Sequence, residues 1–309
     1  MPLYFLLTFK GIHIILQVFL NYPPLAPCGE VCSYSEQIGN ASGMAYPELY
    51  KQINCDDIMR RMAYRRHRIE YPPPLYPPDA LIPNFTMNGQ MPIREVMYFM
   101  PIHTKTVCKF RKKYIYKVTE KILKGEQVNT YRSGTCVEDT LKEYINEFKG
   151  KRSVVIGTIR PWLEALLMVY GGRNVITLEY NECDVNVDQL EVHTPYDFAE
   201  KYLRGTVDQF DFGVTFSSLE HSGLGRYTDP INPYGDLEAM AQIWCMLKPG
   251  GILLLGIPCV DHDNGYIVWN AHRVYGIKRL QQMTANWRVL QVIKCEDFHV
   301  VYVLRKLLF

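Results

Sequence analysis

Ser153-Val154-Val155-Ile156-Gly157 runs into Thr158-Ile159-Arg160-Pro161-Trp162-Leu163-Glu164-Ala165-Leu166-Leu167, then Gly171-Gly172, then Val175-Ile176-Thr177-Leu178-Glu179. A β-branched run, a Gly turn, a helix opened by Pro, a Gly stop and a second apolar run ending in an acid outline a nucleotide-binding β-α-β unit. Its acid stands about 20 residues past the turn, although only Gly157 of the usual glycine triplet is present. Gly157 lets backbone approach a ligand with no Cβ in the way. Pro161 suits the first turn of a helix, whose free N–H groups then face whatever lies above Gly157. Trp162 and Glu164 fall in that turn, where Glu164 complements the helix dipole. Glu179 ends the second strand, where a carboxylate can accept ribose hydroxyls.

Downstream, residues 190–193 read as a third strand and Tyr196–Leu203 as a helix. Phe210 to Phe216 is an apolar strand that breaks into Ser217-Ser218-Leu219-Glu220-His221, and ligands of open α/β sheets bind at such strand ends. Asp236–Leu247 has helical spacing. Lys248-Pro249-Gly250-Gly251 turns into the buried strand Ile252–Pro258. A loop follows with Asp261, His262, Asp263, Asn270, His272 and Arg273, then a helix near Val274–Met283. Trp287–Lys294 and Phe298–Leu304 close as an antiparallel hairpin. Upstream, Cys136–Phe148 reads as a helix capped at Gly150, and Lys109–Lys121 suits strand or helix. Tyr71-Pro72-Pro73-Pro74-Leu75-Tyr76-Pro77-Pro78 must be extended, a linker or an arm across the domain.

The expected fold class is α/β: a doubly wound, mostly parallel seven-stranded sheet ending in an antiparallel hairpin, with an irregular N-terminal extension. The expected division is an apolar segment at 1–22, a Pro-rich extension at 23–133 and the sheet domain at 134–309. A net charge of +2 implies no polyelectrolyte partner, and the mild basic excess of residues 1–150 comes with no nucleic-acid motif. Nine cysteines without any CxxC spacing argue against a zinc ribbon. Cys245 and Cys259 lie in apolar runs and read as buried small hydrophobes. Cys28, Cys32, Cys55, Cys108 and Cys136 could pair in an oxidising compartment. The apolar start, too interrupted for a membrane span, suits a signal peptide, a weak anchor or a packed helix. With the sequons at Asn40 and Asn84, the secretory pathway or a membrane and the cytoplasm stay equally open.

"FDFGVTFSSLEH" (210–221), "LKPGGILLLGIP" (247–258) and the closing hairpin resemble class I S-adenosylmethionine-dependent methyltransferases over residues 136–309. More narrowly, "VVIGTIRPWLEALLMVYGG" (154–172), "TLEYN" (177–181), "SLEHSGLGRYTDPINPYGDLEAMAQIWCMLKPGG" (218–251) and "WNAHRVYG" (269–276) are similar to the domain-of-unknown-function family 268. The resemblance implies S-adenosylmethionine as cofactor. Gly157, Thr158 and Trp162 would border its amino-acid part, Glu179 its ribose, and Ser217 and Ser218 the reacting centre. The sequence departs from the methyltransferase pattern at Val155, which stands where an acid is usual, and in the loop from Thr158 to Trp162.

Methyl transfer needs positioning and, for an oxygen nucleophile, a base. His221 is the first candidate, because an imidazole titrates near neutrality; His272, Asp263 and Asp229 follow. The acceptor would be a glycan, a small molecule or a protein. The alternative is a catalytically inactive methyltransferase-like binding or scaffold module, in which Trp162 or Arg160 would block the pocket above Gly157. Asp261-His262-Asp263 with His272 offers ligand residue types without an established ligand spacing, so no metal is expected.

Overall fold

The chain runs α1 (Cys55–Arg65), β1 (Ile93–Val96), β2 (Cys108–Arg111), α2 (Lys112–Leu123), α3 (Gly134–Glu143), β3 (Arg152–Ile156), α4 (Trp162–Val169), β4 (Arg173–Leu178), β5 (Cys183–Asn186), β6 (Leu190–His193), α5 (Pro195–Leu203), β7 (Phe210–Phe216), α6 (Gly235–Met246), β8 (Leu247–Pro258), β9 (Tyr266–Trp269), β10 (His272–Val274), α7 (Ile277–Met283), β11 (Trp287–Lys294) and β12 (His299–Lys306). This computed structural model describes residues 53–65, 72–97, 108–126, 128, 134–181, 183–188, 190–262, 264–295 and 298–307. The apolar segment 1–22, Cys28, Cys32, Asn40 and Asp263 lie outside the described residues.

Seven strands form the main sheet in the order β6-β4-β3-β7-β8-β12-β11. The first five are mutually parallel, and β12 runs antiparallel between β8 and β11. This is the doubly wound sheet with a closing hairpin that the sequence pattern predicts. Strands β3, β7 and β8 are largely apolar because both faces of the sheet are covered. Their neighbouring side chains divide by the two-residue period. Val154, Leu253 and Leu255 pack with α1, α5 and α6 on one face. Val155, Ile252 and Leu254 pack with α2, α3 and α4 on the other. Each such side chain is worth roughly 1.5–3 kcal/mol when fully buried.

Helices α1 and α2 come from the segment read as an irregular extension, yet they cover opposite faces of this sheet. α1 buries Ile58, Met59 and Met62. It is fixed to α6 by the Cys55–Cys245 disulfide and by a buried ion pair between Arg65 and Glu238. Lys109–Lys121 holds both a strand and a helix. β2 pairs with β5 in a separate two-stranded sheet, joined also by the Cys108–Cys183 disulfide. Cys136–Cys295 ties α3 to the end of β11. Cys245 is therefore a disulfide partner rather than a small hydrophobe; its partner lies 190 residues away, so local composition could not reveal the bond. Cys259 is unpaired, and burial pushes its thiol up to about 12.

The Pro-rich stretch is an arm lying on the domain. The Trp269 indole N–H donates to the Pro74 carbonyl at 3.2 Å. Residues 261–273, read as a loop, contain β9 and β10, and β1 pairs with β9 to complete a three-stranded sheet. Phe85, Met91, Leu224, Ile267 and Trp269 form its small core. These strands are only three or four residues long, and β1 lies some 170 positions upstream, so no local periodicity marks them. Asn84, the second sequon asparagine, donates from Nδ2 to the Tyr234 hydroxyl at 2.6 Å. No helix among the described residues is long and apolar enough to cross a membrane.

Candidate functional site

From β3 the chain winds outward through β4 to β6, then returns to place β7 on the other side of β3. At such a reversal the connections leave in opposite directions and open a crevice beyond the carboxyl ends of the strands. A cavity of about 480 Å³ occupies this position. It is lined by Gly157, Thr158, Arg160 and Trp162 after β3, by Leu178, Glu179 and Tyr180 after β4, and by Ser217, Ser218, His221 and Ser222 after β7. Tyr227 and Asp229 add a loop wall, Gln242, Ile243 and Met246 of α6 another, and Tyr114 of α2 a third.

Gly157 has φ +68°, which glycine adopts without cost, and a Cβ there would collide with the Ser218 side chain. Thr158 is tied down twice. Its N–H donates to Glu179 Oε2 at 3.1 Å, and its hydroxyl donates to the Arg160 carbonyl at 2.6 Å. Glu179 Oε1 accepts from the Asn181 backbone N–H at 3.1 Å and from its Nδ2 at 2.9 Å. The Tyr180 backbone N–H also favours the charged carboxylate, so the chain supplies most of the roughly four donors a carboxylate can accept. Glu179 is 6% exposed, and burial raises its pKa despite these donors. Trp162 is buried and packs edge-on against Phe216, with ring centroids 5.8 Å apart. The indole thus forms a wall of the cavity.

Glu164 is fully buried, with Oε1 accepting from the Thr177 hydroxyl at 2.7 Å and Oε2 without a partner. Burial pushes it up to about 8. It is therefore protonated at neutral pH and brings no charge to the helix dipole, contrary to the reading of its place in the first helical turn.

Beyond β7, Ser217 takes φ +50° and donates its hydroxyl to Glu220 Oε1 at 2.8 Å, while His299 Nε2 lies 3.3 Å from the same hydroxyl. Glu220 is buried behind the cavity wall, with Oε2 unpartnered, and burial pushes it up to about 7. His221 faces the cavity with its side chain 13% exposed. Its Nδ1 bonds to the Ala271 carbonyl, which requires the proton on Nδ1 and leaves the Nε2 lone pair free. Burial pushes this imidazole down to about 3. It is neutral at physiological pH but a far weaker base than an ordinary imidazole. His272 on β10 stacks edge-on with it, centroids 6.3 Å apart, outside the cavity lining. Asp229 lines the cavity, but its carboxylate accepts three backbone N–H groups, from Gly223, Gly225 and Tyr227, at 2.7 to 3.0 Å. It organises the loop.

A buried triad holds that loop from below. Asp236 accepts from Arg279 and the Tyr275 hydroxyl, with Arg273 3.8 Å away. Arg273 in turn donates to the Ser222 and Pro233 carbonyls. Burial alone would raise the Asp236 pKa, but the two guanidinium groups hold it low. Much of the long sequence motif around His221 therefore builds loop architecture. Tyr114, Gln242 and Met246 escape the sequence reading, because only packing brings α2 and α6 to the cavity. Among the described residues no group of three His, Cys, Asp or Glu side chains could hold a metal ion.

Residues 150–302 match the DUF268 family, described as Caenorhabditis protein of unknown function. The DUF268 region thus spans β3 through most of β12, with the whole turn after β3 and the loop after β7 inside it. No curated protein matches the chain. Among solved structures, a Burkholderia thailandensis 1,6-didemethyltoxoflavin-N1-methyltransferase with bound S-adenosylhomocysteine is 15% identical; 62% of this chain and 86% of that one are covered, with a TM-score of 0.39. The Bradyrhizobium japonicum N-methyltransferase NodS, also with S-adenosylhomocysteine, is 13% identical over 62% and 98%, with a TM-score of 0.38. The chain spans 66% of a candidate hemolysin from Streptococcus thermophilus, at 12% identity and a TM-score of 0.39.

The residues present fit a nucleoside cofactor. The cavity lies in the roughly 300–1,000 Å³ range of small-molecule sites. Glu179 stands at its edge, and Ile156, Leu178, Leu219 and Ile243 give apolar walls.

Proposed function

We propose that the cavity binds S-adenosylmethionine and that the protein is a methyltransferase acting on a small-molecule or glycan acceptor. The observation that carries this reading is the placement of Gly157 and Glu179 together at the switch point of the sheet, opening into one cavity with the strand end Ser217-Ser218. The cofactor supplies a methyl group on a sulfonium. Glu179 accepts a hydrogen bond from a ribose hydroxyl, and the Thr158 N–H holds its carboxylate in place. His221 Nε2 accepts a hydrogen bond from the acceptor hydroxyl and so orients its oxygen. Three disulfides support residence in an oxidising compartment, where glycans are available acceptors.

Calorimetric titration with S-adenosylhomocysteine tests the reading. Saturable binding at one site is expected, weakened about tenfold by Glu179→Ala through loss of a hydrogen bond to a charged group. Wild-type protein that binds neither S-adenosylmethionine nor S-adenosylhomocysteine removes the proposal, as does unchanged binding by a folded Glu179→Ala variant. A catalytically inactive binding module is the second reading. It is favoured by the three chain donors already engaging Glu179 and by the weak basicity of His221. It predicts binding without turnover across an acceptor panel.

A further inference from the structure

The acids of the cavity are already spoken for by the chain. Glu179 accepts three N–H donors and Asp229 three backbone N–H groups. Glu164, just behind the wall, is pushed up to about 8 and carries no charge at neutral pH. Arg160 is different. It lies exposed at the cavity rim, and no carboxylate among the described residues pairs with it. Its backbone is nonetheless fixed, since its carbonyl accepts both the Thr158 hydroxyl and the Trp162 N–H, at 2.6 and 2.7 Å. Tyr114 of α2 lines the same cavity with its side chain half-buried, and its phenol is a donor at neutral pH. The start of α2 is held in place by the Cys108–Cys183 disulfide and by ion pairs from Arg111 to Asp184 and Lys112 to Asp188.

We infer that Arg160 and Tyr114 form a carboxylate-recognition site at the mouth of the cavity. The guanidinium fork can give two parallel N–H donors to the two carboxylate oxygens, and the phenol can give a third. The inference rests on the cavity being the ligand site proposed above, but not on the identity of the cofactor. The carboxylate belongs either to the amino-acid end of the cofactor or to the acceptor.

The test uses the full chain with three probes. S-adenosylhomocysteine carries the amino-acid carboxylate, 5′-methylthioadenosine keeps the nucleoside and lacks that end, and benzoate stands for an acceptor carboxylate. Binding is measured by calorimetry for the nucleosides and by ligand-observed NMR for benzoate, on wild type, Arg160→Met, Arg160→Lys and Tyr114→Phe. Melting curves confirm that each variant folds. Arg160→Met is expected to weaken a carboxylate-bearing probe at least about tenfold and to leave 5′-methylthioadenosine unchanged. Arg160→Lys should recover part of the loss, because it restores the charge without the fork, and Tyr114→Phe should lose less than Arg160→Met. A loss confined to S-adenosylhomocysteine assigns the site to the cofactor, and one confined to benzoate assigns it to the acceptor. Unchanged binding of both carboxylates, or an equal loss of 5′-methylthioadenosine, overturns the inference. Wild type that binds neither nucleoside defeats the cofactor reading alone, and the benzoate measurements then decide this one. Wild type that binds none of the three defeats both.

Discussion

Ser218 folds over Gly157 so closely that a Cβ on the glycine would stand 2.7 Å from the Ser218 Cβ and strike its hydroxyl. The ends of β3 and β7 are locked together at the floor of the cavity. Gly157→Ala should cost roughly 2–4 kcal/mol, from the left-handed backbone and the collision together. In a Ser218→Gly background the same change should cost only the backbone part, about 1 kcal/mol. Urea denaturation of the four proteins gives the coupling, and strictly additive costs would show that the two side chains do not compete for space.

Stability should fall as pH rises through the neutral range. The carboxyl groups of Glu164 and Glu220 titrate at about 8 and about 7 in the fold, against an ordinary 4.5. Between these values the folded state holds protons that the unfolded state has released. Each group's contribution is therefore complete below about pH 4.5 and is lost as pH rises towards the folded value, with a slope of up to about 1.4 kcal/mol per pH unit. Glu164→Gln keeps an acceptor for the Thr177 hydroxyl and cannot ionise. It should match wild type near pH 5 and exceed it by a few kcal/mol at pH 9. Parallel stability curves for the two proteins would contradict the buried neutral acid.

His221 works in the opposite direction. Its imidazole sits at about 3 in the fold against 6.5 ordinarily, so its contribution to stability is present above pH 6.5 and is lost as pH falls towards 3. Its ring proton resonance should hold the neutral position from pH 8 to 5. A midpoint near 6.5 would return His221 to the role of an ordinary general base.

The three disulfides should appear as Cys55–Cys245, Cys108–Cys183 and Cys136–Cys295 in a non-reducing peptide map. Alkylation of Cys259 should be slow at neutral pH, because its thiol is half-buried and pushed up to about 12. Replacing Cys55 and Cys245 together by Ala should cost roughly 2–5 kcal/mol, since the bond closes a very long loop. An unchanged melting temperature would show that the Arg65–Glu238 pair and the apolar face of α1 suffice to hold that helix.

Asp236→Ala leaves Arg273 and Arg279 buried without their shared carboxylate. The expected cost is about 3–5 kcal/mol. The loop 222–235, supported by these two arginines, should become the first region to exchange its amide hydrogens. Protection unchanged from wild type would mean that the backbone carbonyls alone anchor the guanidinium groups.

What the sequence by itself determined is local and periodic. Apolar runs of strand length, helical spacing in α6, Gly157 at a required turn and Glu179 at a strand end are each legible, because each depends on neighbours within a few residues. A doubly wound, mostly parallel sheet closed by a hairpin follows from the βαβ alternation and the last two apolar runs. Only the tertiary structure decided the rest. Cys245 reads as apolar until Cys55 is brought beside it. Glu164 reads as a charged acid complementing the helix dipole until packing buries it, and burial makes it neutral. His221 reads as a near-neutral base until the loop closes over it and desolvation strips its basicity. Tyr114 enters the cavity from a segment whose pattern suits strand or helix alike, and Arg160 becomes a recognition residue only where the chain has left it without an anion. A pKa, a disulfide partner and a cavity wall are properties of what surrounds a residue in space. In this chain the decisive partners lie 13 to 190 positions away.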